Sequence, residues 1–467
     1  MTQPPSALDR RWRNTTLGLV IVMSLIAFEA MAVATALPTT VTDLGGLAYY
    51  GWPFTAFLIA NILGMVTAGA VGDRTGPRLP LLGGLAIFTA GLVLAGLAQS
   101  MAAFVLGRAV QGLGSGFVIV AVYIVLGLAY PDRARPKVFA ALAAAWVVPA
   151  LLGPPIAGAI TEHLSWRLVF LGLPPFIVVG LLLLRPALRV LPSDAPETTA
   201  DPSEAVRRTL AALGAGSGIA LVLYAGQRYA GQGADALGLA ALLVGAVLLT
   251  TSGRRLLPPG TIAVRHGLPA VVAFRGMLAG AFFAVDALLP LTLTTVHGYG
   301  PTAAGIPLMA GAVGWSTGSW LQGRHPDAAR YLFVRAGFAC LALSCTAMVL
   351  IVLPGGTAWA AYPIWFVAGL GMGMAMPSVG VLLLELSPPE QRGANSAAMQ
   401  ISDVIVAALC IGAGGALVAA AENGLLPLSV AVATVDLAMA VLALTGVLLA
   451  YRVRTTVRAD RRQSVPA

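Results

Sequence analysis

The sequence is poor in charged residues. Only 10% of its 467 residues are Asp, Glu, Lys or Arg, whereas a soluble domain carries about 25%. Hydrophobic residues make up 58% of the chain. A chain with so little charge lacks the polar surface of an ordinary water-soluble enzyme, so that class is excluded.

Residues that form disulfides and metal centres are also scarce. The chain has three cysteines and four histidines. Cys340, Cys345 and Cys410 all lie within apolar segments, where a cysteine is expected to be a small packing residue. The sequence contains no GxxxxGK[ST] phosphate loop and no HExxH motif. We therefore expect no metal, no cofactor and no ATP hydrolysis, and predict that the protein is not an enzyme.

Apolar residues are concentrated in segments of about 20 residues. A helix of roughly that length crosses about 30 Å of hydrocarbon, because each residue adds about 1.5 Å. The 54 glycines are consistent with helices that pack closely in lipid. We predict an all-α polytopic membrane protein with fourteen spans at 15–37, 49–71, 79–98, 102–129, 137–160, 168–185, 207–227, 236–252, 267–295, 302–322, 331–353, 359–385, 395–420 and 426–451.

The net charge of +9 comes from short basic clusters between the apolar segments. These clusters lie at residues 10–13, 74–78, 133–137, 185–189, 207–208, 254–265, 324–330 and 452–462. They fall in even-numbered loops or at the termini, which is the positive-inside pattern of a membrane protein. We therefore predict a multi-pass protein of the cell membrane with both termini in the cytoplasm, and no nucleic-acid partner.

The two halves of the sequence resemble each other. QGLGSGF in the fourth span matches AGLGMGM in the twelfth, and PIAGAI in the fifth matches AGGALV in the thirteenth, each with an offset near 257 residues. Two repeated halves around a substrate path are the architecture of a transporter. The predicted parts are a six-helix bundle at 1–184, a cytoplasmic linker at 185–206, an inserted two-helix hairpin at 207–253, a second six-helix bundle at 267–451 and a basic cytoplasmic tail at 452–467.

Glu29 lies in the otherwise apolar segment LIAFEAMAVATALP of the first span. A carboxyl group within hydrocarbon is costly, so such residues are usually functional. By helical rise, Glu29 lies about 12 Å and Arg108 of the fourth span about 9 Å below the same membrane edge. Two interpretations of Arg108 remain open. Its side chain extends to the interface, or it faces the bundle interior and acts on the protonation of Glu29.

The loop after the second span has the sequence GAVGDRTGPRL. Gly69 would let two helices approach, and Gly76 suits a tight turn between antiparallel helices. Asp73, Arg74 and Arg78 place charge at the predicted cytoplasmic face. An ordinary positive-inside loop explains the arginines but neither the aspartate nor the spacing of the glycines.

Together these segments resemble the major facilitator superfamily, and within it the fourteen-helix drug:proton antiporters. GAVGDRTGPRL is similar to the GxxxDRxGRR signature, and RAVQGLGSG resembles the fourth-helix motif in Arg108 and Gln111. GPPIAG resembles the fifth-helix antiporter motif in Gly153, Pro154 and Gly158. EAMAVATALP keeps the acid-to-proline spacing of the first-helix motif, and SWRLVFLGLP is similar to the SWRWIFxxNxP segment. The local matches cover the first six spans.

The resemblance implies a role for each matched group. Glu29 and Arg108 would serve proton coupling. Asp73 would stabilise the outward-open state by capping the N-terminus of the thirteenth span, where backbone N–H groups favour an anion. The Gly-Pro helix of the fifth span would seal the cytoplasmic gate by close packing.

Further polar residues lie within the predicted spans. Asp286, in the ninth span, belongs to the C-half counterpart of the first span, and we include it with the proton-coupling residues. Arg275 is expected to extend to the interface, and Asp436 to be peripheral. The candidates for a substrate path are Asn61, Gln111, Tyr123, Trp146, Gln400 and Asp403. Single polar side chains in helix bundles also serve as interhelical hydrogen bonds, so both interpretations remain open for these residues.

These observations predict a proton-coupled antiporter of the multidrug type, which exports hydrophobic small molecules, cationic ones included, by alternating access. Its partners would be the substrate, protons and the lipid bilayer, and we expect a monomer. The alternatives are an exporter of one endogenous metabolite, lipid or antibiotic, a nutrient importer, and a non-transporting membrane receptor. The partial antiporter motif argues against import, and the embedded acid and arginine argue against a receptor.

Overall fold

A computed structural model describes residues 12–131, 133–190, 202–325, 327–353 and 355–454. This part of the chain forms fourteen long helices and no strand. The helices are α1 (Arg13–Leu44), α2 (Trp52–Thr75), α3 (Arg78–Gly96), α4 (Met101–Ala129), α5 (Arg135–His163), α6 (Pro174–Val190), α7 (Pro202–Gln232), α8 (Ala236–Leu256), α9 (Leu268–Thr295), α10 (Pro301–Arg324), α11 (Arg330–Val352), α12 (Ala361–Leu386), α13 (Arg392–Glu422) and α14 (Leu428–Leu449). A single helical turn, Arg167–Leu171, precedes α6.

The predicted all-α polytopic membrane fold is confirmed. Thirteen of the fourteen helices are long and apolar enough to cross a membrane. The exception is α10, whose sequence carries Gly, Ser and Thr among its apolar residues. Helices α6 and α7 extend into the predicted linker, which leaves only 191–201 between them. That remainder, the first eleven residues and most of the predicted basic tail lie outside the described residues.

The sequence repeat is also a repeat in three dimensions. Helix α4 packs against α2 and α3, and a Cβ atom on Gly112 would collide with the carbonyl oxygen of Phe57 in α2. Helix α12 packs in the same way against α10 and α11, and a Cβ on Gly369 would collide with the carbonyl oxygen of Gly311. Because glycine lacks a Cβ, the backbones approach more closely than any other residue would permit. Each half therefore contains the same backbone-to-backbone contact.

Gly112→Ala is expected to destabilise the protein strongly, because the added methyl group would meet backbone that cannot move aside. We expect an overpacking cost of about 1–3 kcal/mol, seen as a lower melting temperature of the purified protein. Gly127→Ala is the matched control. It makes the same change in the same helix, but its Cβ would have no neighbour within 4 Å. Equal melting temperatures for the two variants would contradict the packing argument.

The two halves meet toward one end of the molecule. We call the end at which α1 begins and the α2–α3 loop lies the basic end, and the other the far end. At the far end α5 packs on α10: a Cβ on Gly158 would lie 2.6 Å from the Cα of Thr302, and the Glu162 carboxylate accepts a hydrogen bond from the Thr302 backbone N–H at 3.0 Å. Gly51, before α2, contacts Gly415 of α13 at the same end. The halves are thus closed together at the far end.

The hairpin formed by α7 and α8 packs beside this assembly. An apolar cluster joins Ala215 of α7 to Ile62 of α2 and Ile405 of α13, so α7 contacts both halves. The Trp52 indole N–H also donates a hydrogen bond to the Gln227 side-chain oxygen of α7. Helix α7 therefore covers the line along which α2 and α13 meet.

Candidate functional site

Glu29 of α1 and Arg108 of α4 form an ion pair inside the N-terminal half. Glu29 is 0% exposed and Arg108 2% exposed, so both charges are removed from solvent. The Arg108 guanidinium also donates to the side-chain oxygen of Gln111 at 2.8 Å and to the carbonyl oxygen of Pro53 at 3.3 Å. It lies 4.6 Å from the ring centroid of Phe57. Helices α1, α2 and α4 therefore position one buried cation against one buried anion.

The pair is electrically neutral but incompletely hydrogen-bonded. Among the described residues, Glu29 Oε2 and Gln111 Nε2 are buried without a hydrogen-bond partner. Removing one member of a buried ion pair leaves the other charge uncompensated, which is far more costly than the pair itself. A proton on Glu29 would therefore change the stability of the arrangement around Arg108. This geometry excludes the interpretation in which Arg108 extends to the interface.

Asp286 of α9 has a different partner. Its Oδ1 accepts a hydrogen bond from the indole N–H of Trp365 in α12 at 3.0 Å. No Lys or Arg in the described ranges forms an ion pair with this carboxylate. On the neighbouring residue, the Ala287 carbonyl accepts a hydrogen bond from the Tyr50 hydroxyl at 2.8 Å, which ties α9 to the N-terminal half.

One face of α9 is open to a space inside the molecule. Between residues 270 and 293 the partly exposed side chains are Arg275, Phe283 and Asp286, and all the others are buried. Separations of eight and three residues place these three on one helical face. Because α9 packs against α1, α10, α12, α13 and α14, this face does not look out on lipid. We infer that this face borders a space between the helices, which we call the internal passage.

Arg275 and Asp403 form an ion pair across α9 and α13 on this passage. The Arg275 Nε and Nη2 atoms lie 2.9 Å and 2.8 Å from Asp403 Oδ2. The prediction that Arg275 extends to the membrane interface is therefore wrong, because a carboxylate on the facing helix takes its charge. Asp403, predicted for the substrate path, lies beside the passage as one member of this pair.

Two other predicted path residues, Asn61 and Gln111, are buried in the N-terminal half. Asn61 is buried and donates a long hydrogen bond of 3.4 Å to the Gly112 carbonyl, between α2 and α4. Gln111 is fully buried and serves Arg108. The close α2–α4 contact encloses both side chains in this conformation, and their role in the substrate path stays a prediction.

The remaining path candidates keep some exposure. Tyr123 of α4 is exposed and stacks on Phe139 of α5 with ring centroids 6.1 Å apart. Trp146 is half-buried and Gln400 is exposed. These three residues remain candidates for the substrate path.

The α2–α3 loop shows one predicted feature and contradicts another. Gly76 ends α2 with a φ of 69°, a left-handed value that glycine adopts readily. Gly69 does not bring two helices together, since a Cβ there would meet nothing within 4 Å. Asp73 and Arg74 are exposed, and Arg78 is half-buried. Gly69 therefore faces open space at the basic end.

The Gly-Pro helix makes its close contact with α10 at the far end. Helix α5 is continuous through its internal prolines, Pro154 included. Gly158 packs against α10 at the far end, whereas a Cβ on Gly153 would make only ordinary contacts of 3.6 Å with Phe28 and Met31. The tight spacing therefore belongs to Gly158, and the role of this helix as a cytoplasmic seal stays a prediction.

Sequence reasoning missed Trp365 and misplaced Asp436. Trp365 stands 257 positions after Arg108, and Asp286 stands 257 positions after Glu29, so the repeat offset was the signal that could have found the second pair. Asp436, expected at the periphery, is 2% exposed and lines a small cavity with Leu288 and Met348.

The fold and these sites define a helical transporter of two repeated halves. Residues 19–410 match the family model described as Major Facilitator Superfamily. The chain belongs to this superfamily.

Relatives with curated names include efflux transporters. A protein of Mycobacterium tuberculosis named "probable multidrug-efflux transporter" is 27% identical over 461 residues, which cover 95% of this chain and 94% of the relative. An "uncharacterized MFS-type transporter" of the same organism is 31% identical over 353 residues, or 69% of this chain. The chain spans about half the length of that second relative, 48%.

Solved structures share the fold at low sequence identity. A POT family transporter in complex with a thioalcohol-conjugated peptide aligns with a TM-score of 0.69 and 14% identity over 94% of this chain and 97% of its own. A bacterial homologue of the human lysosomal transporter Spinster, in an inward-facing and unoccupied conformation, aligns with a TM-score of 0.67 and 13% identity over 96% of this chain and 100% of its own.

Proposed function

We propose that the protein is a proton-coupled antiporter that exports hydrophobic small molecules, cationic ones included, across the cell membrane. The observation that carries the proposal is the buried ion pair of Glu29 and Arg108. A carboxyl group enclosed in a transporter is a group whose protonation can bias the conformational equilibrium. The name of the mycobacterial relative supports export as the direction.

In this proposal Glu29, Arg108 and Asp286 form the proton-coupling set. Protonation of Glu29 would release Arg108 from its partner and so favour whichever conformation supplies the guanidinium with other acceptors. Gln111 and the Pro53 carbonyl already contact it. Asp286 would be the second acid, open to the internal passage.

The two halves would rock about this region to give alternating access. We place the basic end in the cytoplasm, so that both termini are cytoplasmic and the far end faces outward. The closed far end then makes this structure inward-facing. When the basic end closes, the open space beside Gly69 would be filled, and Asp73, one turn further along α2, would approach the N-terminal turn of α13. We propose a monomer as the working unit.

Proteoliposomes with an imposed pH gradient test this function. With an acidic lumen, a fluorescent lipophilic cation added outside should accumulate inside while protons leave, as reported by a pH-sensitive dye in the lumen. A protonophore should abolish accumulation, because the gradient is the energy source.

The direction of proton flow decides between this function and its rivals. Cation and proton moving in the same direction would identify a symporter and overturn the proposal. No movement of several lipophilic cations, with proton release driven by one cellular metabolite, would favour the dedicated exporter. Protein-free liposomes serve as the leak control.

A further inference from the structure

The repeat gives the two membrane acids corresponding places with different partners. Glu29 and Asp286 lie on α1 and α9, 257 positions apart, and Arg108 and Trp365 lie on α4 and α12 with the same separation. In each half, the acid accepts a hydrogen bond from the residue on the fourth helix of its bundle. The repeat therefore places a neutral indole N–H where the first half has a guanidinium.

This exchange leaves the charge of Asp286 uncompensated. Arg108 balances the charge of Glu29, but Trp365 contributes a hydrogen bond and no charge. A carboxylate in a medium of low dielectric constant attracts a cation much more strongly than it would in water. Glu29 is fully buried, whereas Asp286 is partly exposed on the face of α9 that lines the passage. Only Asp286 therefore offers both an open charge and access.

A cluster of aromatic rings adjoins the Trp365 indole that donates to this carboxylate. Phe282, one turn before Asp286, stacks on Trp365 with ring centroids 4.8 Å apart and an interplanar angle of 21°. The rings of Phe283 and Trp315 are nearly perpendicular to that of Phe282, with ring centroids 5.4 Å and 5.7 Å away, and both side chains are partly exposed. Aromatic faces attract organic cations and pack against flat apolar groups.

We propose that Asp286 is the recognition site for an organic cation carrying aromatic or bulky apolar groups. The carboxylate holds the positive charge, the Trp365 N–H fixes the orientation of that carboxylate, and the rings of Phe283 and Trp315 contact the apolar body. This inference rests on the proposed export function and names its substrate class. It also distinguishes the two acids: Glu29, paired with Arg108, exchanges the proton alone, whereas Asp286 exchanges a proton for the charge of the substrate.

Equilibrium binding of tetraphenylphosphonium to the detergent-purified protein tests the assignment. Asp286→Asn should weaken binding by roughly tenfold or more, and tenfold corresponds to about 1.4 kcal/mol. Triphenylphosphine oxide, a neutral probe with phenyl groups, should bind the wild type and this variant equally. Asp286→Glu should retain most of the affinity for the cation. Asp436→Asn is the matched control, since it neutralises another buried acid that lies away from the passage.

Each result decides the assignment. Unchanged cation binding in Asp286→Asn would overturn it, as would an equal loss for the neutral probe, which would indicate a distorted cavity. Trp365→Phe keeps the ring and removes the N–H, and a smaller loss for the cation alone would support the positioning role. Binding without a gradient does not require proton coupling, so this experiment and the proteoliposome experiment can fail independently.

Discussion

Glu29→Gln is expected to reduce proton-driven export to the background rate. Glutamine keeps the size of the side chain but cannot exchange a proton. It also leaves Arg108 as an uncompensated charge that is 2% exposed. Breaking a buried pair in this way costs about 3–5 kcal/mol, so the variant should also melt at a lower temperature. Substrate-dependent proton release in proteoliposomes and thermal unfolding in detergent measure the two effects separately.

The double variant Glu29→Gln/Arg108→Gln separates stability from coupling. Replacing both charges removes the uncompensated guanidinium, so the melting temperature should return toward that of the wild type. Proton-driven export should remain absent, because the titrating carboxyl group is still missing. Full coupling in the double variant would show that another group carries the proton. A single variant as stable as the wild type would contradict the buried-pair argument.

Gly158→Ala is expected to shift the conformational equilibrium away from the state that is closed at the far end. The added methyl group would lie 2.6 Å from the Cα of Thr302 and 2.7 Å from the carbonyl oxygen of Pro301, both backbone atoms. Overpacking of this kind costs about 1–3 kcal/mol. If that cost falls on one state only, the equilibrium changes by about 5- to 150-fold.

Labelling of a single cysteine at position 35 measures this shift. Thr35 is fully buried and packs near Gly305 of α10, so Thr35→Cys should react slowly until the far end opens. The background is a chain without its three native cysteines. With Gly158→Ala, the introduced thiol should react faster than in the parent protein. Gly153→Ala makes the same change in the same helix, but its Cβ would make only ordinary contacts of 3.6 Å, so the rate should not change. Equal rates for both variants would remove the proposed seal.

The sequence predicted the membrane fold and the first ion pair for physical reasons that need no tertiary information. Hydrophobic length defines a membrane helix whatever its neighbours are, so the number and order of helices could be predicted. Glu29 and Arg108 could be paired because helical rise gives the depth of each residue. A buried charge needs a partner, and the two depths matched.

The direction in which each side chain points around its helix axis could not be predicted in the same way. Asn61 lies at a plausible depth, but its side chain points into the contact between α2 and α4. Arg275 meets Asp403 because α9 and α13 pack together, a pairing that neither apolar segment reveals alone. Depth follows from position along one helix, whereas orientation depends on the packing of several. In lipid, where all helices are apolar, the hydrophobic pattern does not specify that packing.

The hairpin of α7 and α8 covers one of the two contacts between the halves from the bilayer and leaves the other uncovered. Helix α7 lies over the seam between α2 and α13 and contacts both, whereas the other seam is formed directly by α5 and α10. Leu152 and Ile156 of α5 are exposed apolar side chains. A hydrophobic compound that enters laterally from a lipid leaflet would be blocked by α7 on the side where α2 and α13 meet. Lateral entry would therefore be confined to the side where α5 and α10 meet, although the two halves have the same helix arrangement.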